Sequence, residues 1–527
     1  MLEQYVSLFE IIFRGGNIYL YKSGDLRLRG KHKRSKTEDP ASSALDSTCC
    51  PQVEKSPVST ATPYAPLEAA LTYRSRLTAA QRAAINLVLS GLGIGCLVAP
   101  EWMIQTGSIT LFAVFFLMMA WRCTLLFAGL ILRLKRPEPT LQDVPDHSLP
   151  LYTILIPAYR ESALMAQMAR ALRAIDWPAD RLDVIILLEA DDQSTIAAAE
   201  AAHFPERTRL FRVPSGGPRT KPNALNHGLQ LAAGAYVTVY DIEDLPEPVQ
   251  LRAAYKMFQV CDPEVVCLQA PLIADNANQC WLSAHWGLEY DIQFRLLLTG
   301  LSLYKMPLLL GGTSNHFRKD TLLALGGWDA WNVTEDADLG MRLTRASLRA
   351  ETIAVPTYED APTNFRIWMS QRSRWIKGHM QTWLVLMRNP AKTLRQMGLM
   401  PFLCMQLSLG AGILAPLFHA PCFGFVLATY TIPGLRLGLA GTLLLATGLT
   451  VSLFGGLAAP GEWSLHRVIA VLTRPIYWPL HSFAAYRAVW ELAKDPFFWA
   501  KTPHNPRPKE SPAHCSIGSS ASASPPA

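Results

Sequence analysis

Two long stretches with almost no charged side chains constrain this chain more than any other feature. They cover residues 83–99 and 109–132, and each is close to the ~20 residues that an α-helix needs to cross the hydrocarbon core of a bilayer. Charged residues make up 17% of the 527-residue chain, against about 25% in ordinary soluble domains. The sequence therefore predicts a membrane protein with two transmembrane helices over residues 83–134.

A second group of apolar runs lies near the C-terminus. These runs cover residues 397–418, 422–459 and 468–485. We interpret residues 397–486 as a C-terminal transmembrane bundle of about four helices. The piece 422–433 is short enough to be re-entrant instead of spanning.

Basic residues next to the apolar runs predict the orientation, because Lys and Arg are enriched on the cytoplasmic side of a membrane. They flank the outer ends of the first helix pair, whereas the loop 101–108 contains neither Lys nor Arg. The flanking residues are Arg74, Arg76, Arg82, Arg133, Lys135 and Arg136. We expect a multi-pass protein of the cell inner membrane with a basic cytoplasmic tail over residues 487–527. Arg122, inside the second run, either pairs within the bundle or has a function there.

Residues 1–80 have the composition of a disordered basic arm, with Ser, Thr and Pro and no sustained apolar period. Its basic cluster consists of Arg27, Arg29, Lys31, Lys33, Arg34 and Lys36. Because the formal net charge of the whole chain is only +7, this cluster leaves the rest close to neutral, and we expect no nucleic-acid partner.

The ten cysteines include no C-x-x-C pair, which argues against a disulfide framework or a zinc module.

Between the two apolar regions, residues 150–390 alternate short β-rich runs with helical ones, which is typical of an α/β domain. The predicted strands are 152–157, 183–188, 236–240 and 265–269. In such sheets, ligands bind outside the carboxyl ends of the strands. Functional residues are therefore expected where these strands end.

Acidic residues follow two of the predicted strands. They are Glu189, Asp191 and Asp192 after the second strand, and Asp241, Glu243 and Asp244 after the third. Carboxylates gathered at one sheet edge repel one another, and oxygen ligands of this kind suit Mg²⁺ or Mn²⁺. Because magnesium completes its shell with water and substrate phosphate, a metal-bound diphosphate is the expected ligand. Each cluster alone is also compatible with a solvated turn.

A third acidic element is Thr334-Glu335-Asp336, at the start of a helical stretch. Thr334 fits the N-cap position of that helix. A carboxylate presented at a helix start over a substrate cleft can act as a general base, and Asp336 is our candidate.

The fourth element combines Gln371, Arg374 and Trp375 in one amphipathic stretch. Arginine binds phosphate in a bidentate manner, and an indole offers a flat apolar face to a sugar ring. The alternative is a basic amphipathic helix that lies on the membrane interface. Both interpretations are compatible with one helix.

These four motifs, in this order and between transmembrane helices, resemble the processive family 2 glycosyltransferases of the cellulose synthase and hyaluronan synthase type. Within that family, the sequence is most similar to the bacterial cellulose-synthase-like β-glucan synthases. The resemblance covers roughly residues 150–389. It implies an α/β GT-A-like fold, a Rossmann-like mixed sheet, for a cytoplasmic domain embedded between N- and C-terminal transmembrane α-helices.

The resemblance also implies roles for individual residues. Those expected to bind the nucleotide sugar are Pro157, Tyr159, Glu161, Asp191, Asp192, Lys221, Asn223, Asp241, Gln371 and Arg374. Those expected to bind the acceptor are Gly312, Thr313, Ser314, Glu335 and Trp375. Asp336 corresponds to the catalytic base. The metal-binding Asp-x-Asp corresponds to Asp241 and Glu243, so Glu replaces the second Asp, and Asp244 is an alternative ligand.

The implied function is inverting transfer of a sugar from a UDP-sugar to a growing β-linked glycan, coupled to export of that glycan. UDP-glucose is the favoured donor. The implied cofactor is Mg²⁺ or Mn²⁺, and the implied partners are the UDP-sugar, the glycan acceptor, the lipid bilayer and an export or regulatory subunit. Two alternatives remain: a non-processive transferase that places one sugar on a lipid, and a catalytically silent membrane receptor or assembly component with the same fold.

Overall fold

The computed structural model describes residues 67–135, 145–214 and 217–498. The predictions for residues 1–66 and 499–527 lie outside this part of the chain. Residues 67–80, predicted to belong to the disordered arm, are folded: Tyr73 is buried, and the Thr72 hydroxyl and Tyr73 N–H both donate to the carboxylate of Asp329. Burial of one aromatic ring and a carboxylate clamp on two neighbouring residues hold this segment in place.

Within the described ranges, ten strands form two sheets. They are β1 (Tyr152–Ala158), β2 (Leu182–Glu189), β3 (Thr208–Val213), β4 (Tyr236–Val239), β5 (Leu245–Pro246), β6 (Val265–Gln269), β7 (Leu272–Ala274), β8 (Asn315–Arg318), β9 (Arg349–Thr352) and β10 (Thr357–Glu359). The main sheet has seven strands in the order β3-β2-β1-β4-β8-β6-β9, and β5-β10-β7 form a small second sheet. In the main sheet β8 runs antiparallel to both neighbours, β4 and β6, and every other pair is parallel.

The central strands are buried on both faces, which explains their nearly continuous apolar sequences. In β1, Ile154 and Ile156 pack into one hydrophobic core, whereas Leu155 packs into another core on the opposite face. The strands predicted at 152–157, 183–188, 236–240 and 265–269 correspond to β1, β2, β4 and β6. Six further strands were not predicted.

Helices connect and cover these strands. They are α3 (Met165–Ala174), α4 (Gln193–Ala201), α5 (Lys221–Leu231), α6 (Gln250–Val260), α7 (Trp281–Ile292), α8 (Leu298–Leu303), α9 (Lys319–Ala324), α10 (Glu335–Arg345), α11 (Phe365–Leu386) and α12 (Pro390–Met397). A π-helical turn, Gln293–Leu297, joins α7 to α8. The carboxyl ends of β1 and β4, the start of α10 and one face of α11 converge on a single cavity.

Further helices lie before and after this domain. They are α1 (Ala79–Val98), α2 (Pro100–Lys135), α13 (Leu399–Met405), α14 (Ala411–Thr431), α15 (Leu439–Ala458) and α16 (Leu465–Lys494). A π-helical turn, Gln406–Gly410, makes α13 and α14 one continuous stretch. Among the described residues, four helical stretches are long and apolar enough to cross a membrane: 79–98, 100–134, 399–431 and 439–458.

The C-terminal region differs from the prediction of about four helices. The stretch 399–431 continues through Pro416 and Pro421, so the predicted separate piece 422–433 belongs to the preceding helix. A proline frees the carbonyl four residues earlier. The carbonyl freed by Pro421 is that of Leu417, which accepts a hydrogen bond of 2.8 Å from the Tyr486 hydroxyl on α16. The last helix also extends to Lys494, eight residues into the predicted tail.

The domain and the membrane helices meet through α7 and α8, which the sequence analysis did not predict. A Cβ on Gly129 of α2 would lie 2.1 Å from the Leu296 carbonyl oxygen, and a Cβ on Gly300 of α8 would lie 2.4 Å from the Leu125 carbonyl oxygen. These two glycines therefore permit direct backbone contact between α2 and the domain. Arg467 of α16 adds an ion pair of 2.7 Å with Asp291 of α7.

Candidate active site

A cavity of about 1600 Å³ lies at the carboxyl ends of β1 and β4 and continues between α2, α14, α15 and α16. Most of the site residues expected from the sequence line it. These are Pro157, Tyr159, Glu161, Lys221, Asp241, Glu243, Gly312, Thr313, Glu335, Asp336, Gln371, Arg374 and Trp375. Residues up to 218 positions apart in the sequence are thus brought to one space, and we call this part of the cavity the catalytic end.

Lys221 and Asp241 form the ion pair at the centre of the catalytic end. The Lys221 ammonium also donates to the Gly312 carbonyl at 2.6 Å. Burial alone would lower the pKa of Lys221, but the charges of Asp241 and Glu335 raise it above its usual value. Lys221 therefore stays protonated and holds positive charge where a diphosphate would carry negative charge.

Asp244 lies behind this pair and has no exposed surface. Its carboxylate accepts from the Asp241 N–H at 2.7 Å and from the Thr313 hydroxyl. Burial, together with the charges of Asp241 and Glu243, raises its pKa well above the usual value. Asp244 therefore supports the loop after β4, and the alternative of Asp244 as a metal ligand does not fit its position.

Glu335 and Asp336 occupy the first turn of α10. Burial, followed by the charge of Asp336, raises the pKa of Glu335 to about 7, and burial also raises the pKa of Asp336. The Asp336 Oδ1 atom is buried and has no hydrogen-bond partner among the described residues. Asp336 is therefore a carboxylate of increased basicity, and its Oδ1 atom is not committed to another group of the described chain.

The residue before them, Thr334, occupies the N-cap position, but its side chain does not cap the helix. Instead its hydroxyl faces Gly378 of α11, where an added Cβ would lie 2.2 Å from the Thr334 Oγ1 atom. This close approach sets the position of α11 relative to the start of α10.

Helix α11 carries the Gln371, Arg374 and Trp375 motif along the cavity. The Trp375 ring packs against Trp286 and Tyr290 of α7, with ring centroids 4.9 and 6.3 Å away. The charge of Arg374 acts on both Glu335 and Asp336. The helix thus joins the catalytic carboxylates to an aromatic wall that a sugar ring could contact.

The sequence analysis missed Glu289, which lies on α7 beside this wall. Its carboxylate accepts from Arg372 and, at 3.1 Å, from the Tyr477 hydroxyl, and it lies 3.3 Å from His481 Nε2. Burial would raise the pKa of Glu289, but Arg372 and His481 bring it below its usual value. No short motif contains this network, because its members come from α7, α11 and α16.

The residues at the catalytic end fit a divalent ion held jointly with substrate. Among the described residues, no three His, Cys, Asp or Glu side chains form a metal site by themselves. Asp241 and Glu243 both line the cavity, and magnesium is usually bound by one or two carboxylates together with substrate phosphates and water. Two carboxylates beside a phosphate-sized space match that requirement.

Comparison with known proteins identifies this domain. Residues 150–378 match the family model described as glycosyltransferase like family 2. The chain carries a family 2 glycosyltransferase domain. Together with the mixed sheet, this match confirms the predicted α/β GT-A-like fold of the glycosyltransferase domain.

Individual relatives of the glycosyltransferase domain are distant. The chain is 26% identical over 239 residues to the probable glycosyltransferase YdaM of Bacillus subtilis, and 26% identical over 265 residues to a beta-monoglucosyldiacylglycerol synthase of Trichormus variabilis. It is 25% identical over 256 residues to a UDP-forming cellulose synthase catalytic subunit of Pseudomonas fluorescens. These alignments cover 44%, 49% and 47% of this chain, and 56%, 55% and 33% of the respective relatives.

Four expected site residues of the glycosyltransferase domain do not line the cavity: Asp191, Asp192, Asn223 and Ser314. Asp192 caps α4, because its Oδ1 accepts from the Thr195 N–H at 3.2 Å. Burial would raise the pKa of Asp192, but hydrogen bonds from Thr195, Arg160 and Ser194 lower it. Asp191 pairs at 2.9 Å with Arg219, which does line the cavity.

Ser314 was expected to bind the acceptor, but it lies inside the domain. It is fully buried, has φ of +56°, and donates from its hydroxyl to Thr357 Oγ1 at 2.7 Å. The residues after it form β8, inside the main sheet. Of the expected acceptor-binding residues 312–314, Gly312 and Thr313 therefore reach the cavity and Ser314 does not.

Proposed function

We propose that this glycosyltransferase transfers a sugar from a UDP-sugar to the end of a growing β-linked glycan, with UDP-glucose as the favoured donor. One observation carries the proposal: at least one residue of each sequence motif, such as Glu189, Asp241, Asp336 and Trp375, lines the same cavity as the helices α2, α14, α15 and α16. An acceptor that enters between these helices can therefore reach the carboxylates of the glycosyltransferase domain. The UDP-forming cellulose synthase among the relatives supports the choice of donor.

In this proposal Asp336 removes the proton from an acceptor hydroxyl. The oxygen then attacks the anomeric carbon of the donor as the bond from that carbon to the UDP oxygen breaks. Attack from the face opposite to UDP inverts an α-linked donor to a β-linked product. The burial that raises the pKa of Asp336 makes it a better base, and such a base typically contributes about 10² to 10⁴ in rate.

The leaving diphosphate needs positive charge. Lys221 supplies one charge from the edge of the sheet, and Arg374 supplies another from α11. A divalent ion held by Asp241 and Glu243 would add Lewis-acid stabilisation of the departing UDP. Asp191 keeps Arg219 at the rim of the cavity, where its guanidinium can contact the nucleotide.

The membrane helices define the proposed location. Four of them meet the length and apolarity of membrane spans, and the basic flanks favour a cytoplasmic glycosyltransferase domain in a bacterial inner membrane. Transfer at the catalytic end would then place the lengthening product in the part of the cavity between the helices. We propose that synthesis is coupled to export along this path, with an export or regulatory subunit as partner.

A lipid acceptor is the second candidate, and a specific observation favours it. The cavity walls formed by α2 and α15 are apolar, with residues such as Phe112, Phe115, Leu444 and Leu449. Sugar hydroxyls would find few hydrogen-bond partners along these walls, whereas acyl chains would match them. The relative named beta-monoglucosyldiacylglycerol synthase supports the same idea.

Product analysis distinguishes the two candidates. Membranes that contain the full chain are incubated with labelled UDP-glucose or UDP-N-acetylglucosamine and Mg²⁺, and the products are divided between organic extract and insoluble residue. A polymer cleaved by β-specific glycosidases supports the leading proposal. Label confined to the organic extract supports the lipid acceptor, and equal products from Asp336→Asn membranes would contradict both.

A further inference from the structure

A cluster of basic side chains surrounds the cavity where it enters the membrane helices. Arg122 of α2, Arg372 of α11, and Arg474 and His481 of α16 all line it, together with the acidic Glu289 of α7. We call these five residues the membrane-end cluster. It is adjacent to Trp375, because Arg372 stacks over the Trp375 ring at 4.9 Å.

The single acid of this cluster is already occupied. The Glu289 carboxylate binds Arg372, His481 and the Tyr477 hydroxyl. Its charge attracts both Arg122 and Arg474, while these two arginines repel each other. Within the part of the chain that the structure describes, neither Arg122 nor Arg474 forms an ion pair.

Arg474 is the most informative of these residues. Only 7% of its surface is exposed, and its Nη1 atom has no hydrogen-bond partner among the described residues. An arginine among membrane helices is expensive unless an anion or water compensates its charge, and such residues mark binding sites by default. The cluster therefore has more positive charge than its own carboxylate balances.

The surroundings indicate which kind of anion fits. Next to the cluster, the walls are aromatic and aliphatic, with Phe115 and Phe418 in edge contact at 6.2 Å. A free polar anion would leave these walls without a matching partner. An amphiphile with a phosphate group matches both the arginines and the apolar walls. Its phosphate can accept bidentate hydrogen bonds from arginine, while its chains cover the walls.

We propose that the membrane-end cluster binds the phosphate of an anionic membrane lipid, with the lipid chains against α2 and α15. This site is separate from the donor site, and the inference does not depend on which acceptor the glycosyltransferase uses. Its position next to Trp375 places the lipid head group beside the proposed acceptor site. The lipid is thus either a constant component of the cavity or the molecule that receives the sugar.

Direct binding tests this inference. The purified full chain in a non-ionic detergent is titrated with dioctanoyl phosphatidylglycerol, and binding is measured by the change in tryptophan fluorescence. Two probes separate the parts of the ligand: dioctanoylglycerol has the chains without the phosphate, and inorganic phosphate lacks the chains. We expect saturable binding of the phospholipid and binding at least about tenfold weaker for either probe.

Variants locate the site. Arg474→Gln is expected to weaken phospholipid binding about tenfold or more, and Arg474→Lys to weaken it less, because lysine retains the charge but not the bidentate geometry. Arg436→Gln removes an exposed arginine outside the cavity and should bind like wild type. UDP binding in the same samples reports whether the fold and the donor site are intact.

If Arg474→Gln also loses UDP binding, Arg122→Gln replaces it as the test, since Arg122 is exposed in the cavity. Equal phospholipid affinity in Arg122→Gln and Arg436→Gln, both with intact UDP binding, overturns the proposal. Equal affinity for inorganic phosphate and the phospholipid overturns its lipid part. Loss of sugar transfer with normal phospholipid binding would affect only the proposed function.

Discussion

The two ends of the cavity balance their charges in opposite ways. At the catalytic end, the carboxylates of Asp241, Glu335 and Asp336 outnumber the nearby cations Lys221 and Arg374. At the membrane end, three arginines and a histidine surround the single carboxylate of Glu289. A divalent ion would correct the first imbalance, and the proposed anionic lipid would correct the second.

The two ends also differ in how the sequence encodes them. Each carboxylate of the catalytic end follows a strand or begins a helix, within a short motif. The members of the membrane-end cluster lie between positions 122 and 481 and come from four helices. A site formed by short motifs can therefore be predicted from residue spacing, whereas a site formed by several helices can be found only once their packing is known.

The largest predicted effect is at the catalytic end. Asp336→Asn removes the proposed base and should lower kcat for sugar transfer by about 10² to 10⁴, with little change in UDP affinity. Initial rates with labelled UDP-glucose and a UDP titration measure the two quantities. Asp320→Asn, an exposed carboxylate on α9, is the matched control. A kcat within twofold of wild type would exclude Asp336 as the base.

The next effect concerns the membrane end and is an effect on stability. Glu289→Gln leaves Arg372, whose side chain is only 13% exposed, without its carboxylate. Loss of one partner of a buried pair typically costs about 3–5 kcal/mol, so the melting temperature in detergent should fall clearly. Glu462→Gln, at an exposed position, should leave it unchanged. An unchanged melting temperature for Glu289→Gln would show that the pair adds no stability.

Parts of the fold were predictable because one physical requirement dominated. Strands buried on both faces need continuous apolar sequences, and β1, β2, β4 and β6 satisfy that rule. Strand β8 was missed because it contains Asn315 and His316, which are buried. His316 is accommodated by the Tyr152 hydroxyl at 2.8 Å and by Gln250 at 3.2 Å. Its partners lie 164 and 66 positions away, so no local pattern indicates them.

The candidate site shows the same limit. An acidic residue after a strand can bind a ligand or cap the next helix, and spacing alone does not separate these roles. Asp192 is a helix cap, whereas Asp241 reaches the cavity. The apolar sequence of α7 resembles that of an ordinary core helix, which concealed both its contact with α16 and the role of Glu289.

A third prediction tests whether α11 must approach α10 closely. Gly378→Ala would place a Cβ 2.2 Å from Thr334 Oγ1 and push the start of α10 away from the cavity. A displacement of about 1 Å at a catalytic group can cost about 10²-fold in rate, so we expect a loss of that order in kcat. Gly91→Ala on α1, where nothing lies within 4 Å, is the control. Full activity of Gly378→Ala would show that α11 can move without moving Asp336.

The smallest effect is a shift in pH dependence. Burial and the charge of Asp336 raise the pKa of Glu335 to about 7, and burial raises the pKa of Asp336, so the two neighbouring carboxyl groups compete for one proton. Activity should therefore fall as the pH decreases through about 7, as the carboxylate pair gains a proton.

Glu335→Gln removes the like charge beside Asp336, which lowers the pKa of Asp336. The acidic limb of the kcat/KM profile should then move to lower pH, with only a modest change at pH 8. Lys221 and Arg374 remain in place in this variant and continue to favour the ionised carboxylate. An acidic limb at the same pH in Glu335→Gln and wild type would mean that Asp336 titrates independently of its neighbour, and that burial alone sets its basicity.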